Sequence, residues 1–316
     1  MIPAHVEDCR LKRLRNWLLF AVVVLLWSSN WPVMKSGLEY VDPLNFVLHR
    51  LVISALTLAP LLAALQNKVP RNRRDLAALY LLGVISSAGI AATNIGLVYE
   101  KSGIGATLTY SQPLFVFCMA VPFLGERVNA SRLLGVLVGF LGVVVLSMKE
   151  VAIGSFTFSV LLLLAGAFLW AVSVVYYKKF LGHIDPIVTN IVQLSVGSLL
   201  LGVVDAVSGR FLWPMSMEYL SIVLYASIGA SSIGLTLWLF LLRDEDATVL
   251  SSSSMAVPLV SFLFGWLLLQ ETVEPRSILG AVLIVVGVYL VNREARNRRS
   301  LLQKMPERSA NPANDI

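Results

Sequence analysis

Long apolar runs, separated by short polar or charged segments, fill the chain between residues 16 and 292. A helix needs about 20 residues to cross the hydrocarbon core of a bilayer, and each run has about this length. The pattern predicts ten membrane-spanning helices, called spans 1 to 10, at residues 16–36, 44–65, 75–99, 103–123, 129–148, 155–180, 186–205, 216–240, 246–269 and 276–292. The predicted fold class is therefore an all-α membrane protein.

The composition supports this class. Of 316 residues, 57% are hydrophobic and 14% are charged, whereas a soluble domain has about 25% charged residues. The net charge of +6 is spread over short loops and tails, which excludes a nucleic-acid partner and leaves the lipid bilayer as the expected surroundings. Two cysteines, Cys9 and Cys118, are too few for a disulfide framework. The apolar run after the basic N-terminus is too long for a signal peptide, so we expect it to be retained as span 1.

The distribution of Lys and Arg predicts the orientation. These residues are retained on the cytoplasmic side of short loops. With the N-terminus inside, nineteen of the 25 lie on the cytoplasmic side, five lie outside, and Arg50 falls within span 2. We therefore expect a multi-pass protein of the inner (plasma) membrane with both termini in the cytoplasm.

The second half of the chain repeats the first. From Pro113, "PLFVFCMAVPFLGERVNASRLLGVLVGFLGVVVL" aligns without gaps, at an offset of 145, on "PLVSFLFGWLLLQETVEPRSILGAVLIVVGVYLV". Upstream, "WSSNWPVMKSGLEYVDP" aligns on "WAVSVVYYKKFLGHIDP" at an offset of 143. The positions brought into register include Trp27 with Trp170, Lys35 with Lys178, Asp42 with Asp185, Glu126 with Glu271, Gly135 with Gly280 and Gly142 with Gly287.

The repeat predicts the domain organisation. Each unit has five helices, and because five is odd the second unit enters the membrane in the opposite direction. We expect a cytoplasmic basic tail at 1–15, a first five-helix repeat at 16–150, a second at 151–293 and a disordered cytoplasmic tail at 294–316. Inverted repeats with a substrate site between them are typical of secondary transporters.

The repeated segments also resemble the EamA family of the drug/metabolite transporter superfamily. The resemblance rests on "PLFVFCMAVPFLGERV" in span 4, "PLVSFLFGWLLLQETV" in span 9, "HRLVISALTL" in span 2 and "GAFLWAVSVVYYKK" in span 6. It departs at Gln270, where the family usually has Gly, and this departure concerns the helix end. The resemblance implies a ten-helix inner-membrane carrier, often an exporter of amino acids or related metabolites, and does not fix the substrate.

One face of span 1 is the strongest candidate for a substrate site. Trp27, Asn30, Trp31 and Met34 follow the i, i+3, i+4, i+7 spacing of a single helix face. Polar groups in hydrocarbon require partners or water, so this face is expected to line a cavity. We also expect Pro32 to kink the helix and free a carbonyl group. The alternative is that the polar residues only bind helices together.

Further residues at membrane depth complete the predicted substrate-binding set. They are Trp170, Ser173 and Tyr177, on the equivalent face of span 6, and Asn94, Ser111, Gln112, Gln193, Trp238 and Ser252. Aromatic rings beside hydrogen-bonding groups suit a small, partly apolar substrate. Close helix packing is the alternative for the serines. The prolines that follow the polar groups of spans 4 and 9, Pro113 and Pro258, are assigned structural roles.

The charged residues near the spans have different expected roles. Arg50 could bind a substrate carboxylate through two hydrogen bonds, or its long side chain could reach the outer surface. For Lys35 and Lys178, near helix ends, reaching the surface is the expectation. Glu126 and Glu271 each precede a helix, where a carboxylate can accept amide hydrogens, so a structural role is predicted for both.

The function predicted from these observations is a secondary transporter, an exporter of small neutral or zwitterionic metabolites such as amino acids. The absence of Asp and Glu from the centres of the spans favours facilitated diffusion or exchange over ion coupling. No catalytic motif, metal-ligand spacing or nucleotide loop occurs, so no enzyme activity, metal or cofactor is expected. The alternatives are an organic-anion or sugar-phosphate exchanger and a lipid-handling membrane scaffold. The oligomeric state stays open.

Overall fold

The computed structural model describes residues 4–126, 130–147, 158–209, 211–270, 279–280, 282–291 and 293. Within these ranges the regular elements are helices, and no strand occurs. The α-helices are α1 Ala4–Gly37, α2 Pro43–Ala64, α3 Arg73–Leu97, α4 Ser102–Thr109, α5 Gln112–Leu124, α6 Ala130–Ser147, α7 Phe158–Tyr176, α8 Pro186–Ser208, α9 Met217–Leu224, α10 Leu235–Asp244, α11 Ala247–Ser253, α12 Ala256–Leu269 and α13 Val282–Val291. A 3₁₀ turn, Gln66–Lys68, and two π-helical segments, Tyr177–Leu181 and Tyr225–Gly234, connect some of them.

The protein is a multi-pass membrane protein. Seven helical stretches in the described ranges are long and apolar enough to cross a bilayer: Leu14–Gly37, Pro43–Leu62, Arg73–Leu97, Phe158–Leu181, Pro186–Ser208, Met217–Asp244 and Ala247–Leu268. They coincide with predicted spans 1, 2, 3, 6, 7, 8 and 9. The remaining spans 4, 5 and 10 contain the shorter apolar helices Gln112–Leu124, Ala130–Gly142 and Val282–Val291. The prediction of an all-α membrane protein is confirmed.

Two Asp-Pro pairs start the second helix of each repeat. The Asp42 carboxylate accepts hydrogen bonds from two backbone amides in the first turn of α2, at 3.1 and 3.3 Å. Asp185 accepts one from the Ile187 amide in α8 at 2.9 Å. In each case proline follows directly at the first helical position, where no amide donor is needed. Partial burial raises the pKa of Asp185, but hydrogen bonds from Lys68 and from the amide outweigh it and hold the pKa below its ordinary value.

Two lysines cap the C-terminal ends of neighbouring helices. Lys35 Nζ donates to two backbone carbonyls at the end of α3, at 3.0 and 2.8 Å. Lys178 Nζ donates to three carbonyls at the end of α10, at 2.8, 3.0 and 2.8 Å. The last carbonyls of a helix have no partner within it, so an ammonium group there is favourable. The structure thus assigns both lysines a capping role at helix ends, and their extension to the membrane surface stays a prediction.

Spans 4 and 9 are each interrupted near their middle. A turn at Tyr110–Ser111 separates α4 from α5, and a turn at Ser254–Met255 separates α11 from α12. Pro113 follows the first turn and Pro258 follows the second. Proline lacks an amide donor and restricts the residue before it, so each of these prolines removes one helical hydrogen bond close to the turn. The sequence did not predict these two breaks.

Pro32 lies inside α1, which continues to Gly37. The missing amide of Pro32 leaves the carbonyl of Ser28 without its helical donor. The hydroxyl of Ser261, in α12, donates to this carbonyl at 3.2 Å, and the hydroxyl of Ser28 donates to the Val257 carbonyl at 3.1 Å. The carbonyl group of Ser28, which Pro32 leaves free, is therefore hydrogen-bonded to span 9.

Glycines bring α6 and α13 together. A Cβ atom on Gly142 would lie 2.7 Å from the Gly280 carbonyl oxygen, and one on Gly135 would lie 2.9 Å from that of Gly287. Both distances are too short for a side chain, so the two backbones are in direct contact. Gly135 and Gly142 of span 5 thus allow the close approach that is typical of small residues at contacts between membrane helices.

Candidate functional site

Three tryptophans from different spans meet at the centre of the helix bundle. Trp27 of α1 lies edge to face with Trp170 of α7, with ring centroids 5.4 Å apart, and 5.1 Å from Trp238 of α10. Trp170 and Trp238 are 6.4 Å apart. Trp27 Nε1 donates to the Ala230 carbonyl at 3.1 Å, whereas the buried Nε1 of Trp170 has no partner among the described residues. All three rings were predicted site residues, and the structure brings them into one cluster, called the tryptophan cluster below.

The two helix breaks are joined through their side chains. Gln112 Nε2, at the break in span 4, donates to Ser254 Oγ, at the break in span 9, at 3.3 Å. Several buried polar atoms around these breaks have no hydrogen-bond partner in the described part of the chain: Thr109 Oγ1, Gln112 Oε1, Ser251 Oγ and Ser252 Oγ. Leaving such an atom unpaired costs about 1–3 kcal/mol. A polar ligand that forms hydrogen bonds with these atoms would therefore remove this cost and bind favourably.

Span 1 packs against the broken span 4 beside these atoms. The rings of Trp31 and Tyr110 are 6.4 Å apart. One residue before Trp31, the Oδ1 atom of the buried Asn30 accepts no hydrogen bond within the described residues. Asn94 in α3 also has an unpartnered Oδ1, while its Nδ2 donates to the Ile90 carbonyl at 2.9 Å. Together with Gln112, these residues present three amide oxygens that can accept hydrogen bonds.

Arg50 is buried between three spans and does not reach the surface. Its side chain extends from α2, and the residue is 8% exposed. Nε donates to Ser231 Oγ at 2.6 Å, and Nη1 lies 3.1 Å from Met34 Sδ. No carboxylate in the described ranges pairs with it. The alternative in which Arg50 extends to the outer surface is wrong.

A satisfied polar network continues from Ser231 to the opposite repeat. Asn190 Nδ2 donates to the carbonyl of Ser231 at 3.0 Å, and Asn190 Oδ1 accepts from Gln193 Nε2 at 3.0 Å. Ser86 Oγ lies 3.2 Å from Gln193 Oε1 and 3.3 Å from Ser173 Oγ. The predicted site residues Gln193 and Ser173 thus have their polar groups paired and connect α3, α7 and α8.

The hydroxyl groups of two other predicted site residues are paired within the protein. Tyr177 is buried, and its hydroxyl donates to the Leu239 carbonyl at 3.3 Å, which fixes span 6 to span 8. Ser111 Oγ donates to the Leu108 carbonyl in its own span at 2.7 Å. Their hydrogen bonds are made within the protein.

Glu126 fixes the end of span 4 to the start of span 9. Its two carboxylate oxygens accept hydrogen bonds from the amides of Ala247 and Thr248, at 2.7 and 3.2 Å. A carboxylate at the positive end of a helix is favourable. These contacts have the predicted chemistry, a carboxylate that accepts amide hydrogens at a helix start, and the helix is α11. Residues 127–129, which lead from Glu126 to α6, lie outside the described residues. Its counterpart Glu271 lies outside the described residues.

Three residues of this polar network are not among the predicted site residues: Ser86, Ser231 and Asn190. A usable signal existed, because "YLLGVISSAG" from Tyr80 aligns on "YASIGASSIG" from Tyr225 at the offset of 145, which pairs the two serines. In the described part of the chain, no group of three or more His, Cys, Asp or Glu side chains could hold a metal ion.

Comparisons with known proteins agree with this architecture. The EamA-like transporter family matches residues 15–148 and 157–293. The chain belongs to this family, and its class is therefore that of a membrane transporter. A crystal structure of another protein, 20% identical in sequence, superposes with a TM-score of 0.75 over 90% of this chain and 99% of that chain, which shows the shared fold.

Three curated relatives match along most of their length. The uncharacterized transporter YvbV of Bacillus subtilis is 27% identical over 95% of this chain and 99% of its own. A protein of Streptantibioticus cattleyicolor named "probable terminal-alkyne amino-acid exporter" is 28% identical, covering 90% of this chain and 95% of its own. The "probable amino-acid metabolite efflux pump" of Escherichia coli is 29% identical, covering 87% and 94% respectively.

Proposed function

We propose that this transporter exports small neutral or zwitterionic metabolites, amino acids among them, across the plasma membrane. It works by alternating access between two inverted five-helix repeats, with both termini in the cytoplasm. The names of the Streptantibioticus cattleyicolor and Escherichia coli relatives and the chemistry of the central residues support this substrate class.

Matched contacts in the two halves support the inverted repeats. Asn16 Nδ2 donates to Glu245 Oε1 at 3.3 Å, at the start of span 1 and the end of span 8. Ser159 Oγ donates to Glu100 Oε1 at 2.7 Å, at the start of span 6 and the end of span 3. The offsets of 143 and 145 convert one pair into the other. The two lysines that close α3 and α10 are related in the same way.

The observation that carries the proposed site is the pair of helix breaks in spans 4 and 9. Interrupted helices at the interface of two repeats are typical of secondary-transporter sites near the membrane midplane. Here the breaks are joined by Gln112 and Ser254, and they carry unpartnered hydroxyl and amide groups. The tryptophan cluster and the Trp31–Tyr110 pair supply aromatic surface for the apolar part of a substrate.

The chemistry of the unpartnered atoms favours a substrate with an ammonium group. The unpartnered oxygens of Asn30, Asn94 and Gln112 are acceptors, which suit an N–H donor. We assign substrate contact to Trp27, Asn30, Trp31, Asn94, Gln112, Trp170, Trp238 and Ser252. We assign a supporting role to Ser111, Ser173, Tyr177 and Gln193, because the polar groups of these four are paired within the protein.

Counterflow in proteoliposomes tests the function. Vesicles containing the purified chain are loaded with a mixture of unlabelled neutral L-amino acids, and uptake of each labelled amino acid is followed with and without a proton gradient. We expect transient accumulation of at least one amino acid that does not require the gradient. Accumulation of a phosphorylated sugar instead would replace this proposal with the organic-anion exchanger. Movement of labelled phospholipid between leaflets without any solute counterflow would replace it with the lipid-handling function.

A further inference from the structure

Arg50 has more hydrogen-bond donors than the protein satisfies. A guanidinium carries five N–H donors, and the described residues accept two hydrogen bonds from it, one at the Ser231 hydroxyl and one at the weakly accepting sulfur of Met34. No carboxylate pairs with it in the described ranges. Its acceptor Ser231 lies near the middle of the helical stretch Met217–Asp244, and Arg50 lies within the stretch Pro43–Leu62, so the charge lies within the spans.

A charge in this position requires a counter-ion. Arginine remains protonated in proteins, and a buried ion without a partner is strongly unfavourable. Charged residues within membrane spans are therefore typical of substrate or ion pathways. A bidentate carboxylate fits the planar guanidinium best, because two parallel N–H···O bonds form at once.

The residue equivalent to Arg50 in the second repeat shows which contact the fold requires at this position. Gln193 is the equivalent of Arg50 at the offset of 143, and Ser86 is the equivalent of Ser231 at the offset of 145. Ser86 and Gln193 make the corresponding contact at 3.2 Å, and Gln193 Nε2 is also paired, with Asn190. In the second repeat the neutral amide of Gln193 is sufficient for this contact. The contact therefore does not explain the positive charge of Arg50 in the first repeat.

Arg50 is also close to the proposed substrate site. It contacts Met34, which lies one helical turn, or about 6 Å along the axis, beyond Asn30 on the same face of α1. We infer that Arg50 binds the carboxylate of the substrate. The ammonium group of the substrate then donates hydrogen bonds to the unpartnered amide oxygens, that of Asn30 first. This inference rests on the proposed function and narrows it to substrates with a free carboxylate.

The first test compares competitors on the wild-type protein, so it does not depend on any variant folding. Counterflow of a labelled L-amino acid is measured against an excess of the unlabelled amino acid, its methyl ester or its N-acetyl derivative. We expect the ester, which lacks the carboxylate, to compete at least ten-fold less well than the parent. The N-acetyl derivative keeps the carboxylate and should compete better than the ester. Equal competition by the ester and the parent would overturn the inference.

The second test uses Arg50→Gln, which installs the residue of the second repeat. We expect this variant to insert and to unfold near the wild-type temperature while counterflow falls at least ten-fold, with Arg50→Lys in between. Lys179→Gln removes an exposed cation outside the site and should transport normally. Wild-type counterflow in Arg50→Gln would overturn the inference.

The third test separates the carboxylate site from the proposed function. Unfolding in neutral detergent is measured with added sodium propionate, sodium chloride or phosphatidylglycerol. Stabilisation by propionate in the wild type, and not in Arg50→Gln, supports the carboxylate site even if no amino acid is transported. Stabilisation by phosphatidylglycerol alone would assign the charge to a lipid and overturn the inference.

Discussion

Trp27 and Trp170 occupy equivalent positions in the two repeats, and their rings contact each other edge to face at 5.4 Å. Equivalent residues of two units related by a two-fold axis can touch only near that axis, so this contact marks the centre of the proposed pseudo-symmetry. The two indoles nevertheless differ, because Trp27 donates a hydrogen bond to Ala230 and Trp170 has no partner among the described residues. The two equivalent positions therefore have different hydrogen-bond environments in this conformation.

Replacing each of these tryptophans by phenylalanine should separate their roles. Trp27→Phe removes the donor to Ala230 and leaves a buried carbonyl unpaired, so we expect a loss of about 1–2 kcal/mol of stability. Trp170→Phe removes an N–H without a described partner and should cost less. Unfolding in detergent, followed by intrinsic fluorescence and by aggregation, measures both. A larger loss of stability for Trp170→Phe than for Trp27→Phe would contradict the hydrogen bonding assigned to the two indoles.

Removal of the side-chain amide should reduce transport at Asn30 and stability at Asn190. Asn190 donates to the carbonyls of Ser231 and Ser232 and to Thr236 Oγ1, so Asn190→Ala should lower stability by about 1–3 kcal/mol. Asn30 has an unpartnered Oδ1, so Asn30→Ala should leave stability almost unchanged and reduce counterflow at least ten-fold. Stability is read from thermal unfolding and transport from proteoliposomes at equal protein content. Asn30→Ala with normal transport would remove Asn30 from the site.

Glu126 should hold span 9 against span 4. Glu126→Ala removes both acceptors of the α11 amides, and the expected cost is about 1–3 kcal/mol. Glu126→Gln keeps one acceptor oxygen and loses the charge, so a smaller loss is expected. Both values come from unfolding midpoints in the same detergent. If the two variants unfold together with the wild type, the amide contacts do not contribute to stability.

Gln270 offers a stabilising substitution. It ends α12 with φ of 54°, a left-handed conformation, and the equivalent residue that ends α5 is Gly125, with φ of 66°. Left-handed backbone costs an L residue about 1–2 kcal/mol and costs glycine almost nothing. We expect Gln270→Gly to raise stability by about 1 kcal/mol and Gly125→Ala to lower it by a similar amount. An unfolding midpoint below the wild-type value for Gln270→Gly would contradict this reasoning.

The elements that could be predicted from sequence are those with a strong local signal. Apolar length and flanking polar residues placed α2, α3 and α8 within a few residues of their observed ends, and the Asp-Pro pairs marked two helix starts correctly. The tryptophans that form the central cluster were also identified, because polar and aromatic residues at one helical spacing are conspicuous in an apolar span.

The features that escaped prediction depend on contacts between distant segments. The breaks at Tyr110–Ser111 and Ser254–Met255 occur where polar residues precede a proline. This pattern alone does not distinguish a kink from an interruption, because Pro32 also follows polar residues and lies in an unbroken helix. The carbonyl acceptors of Lys35 and Lys178 lie over 60 residues away in sequence. Whether Arg50 reaches the surface or remains buried depends on the position of Ser231, which is 181 residues away.

The central claim is that the two repeats cross the membrane in opposite directions. It is tested by labelling single cysteines in a background without Cys9 and Cys118. Gln66 and Phe211 are both exposed and lie in the loops between the second and third spans of the first and second repeats. In intact cells, a membrane-impermeant maleimide should label Phe211→Cys and leave Gln66→Cys unlabelled until the membrane is opened. Labelling of both cysteines from the same side would show that the repeats run in the same direction and would contradict the account.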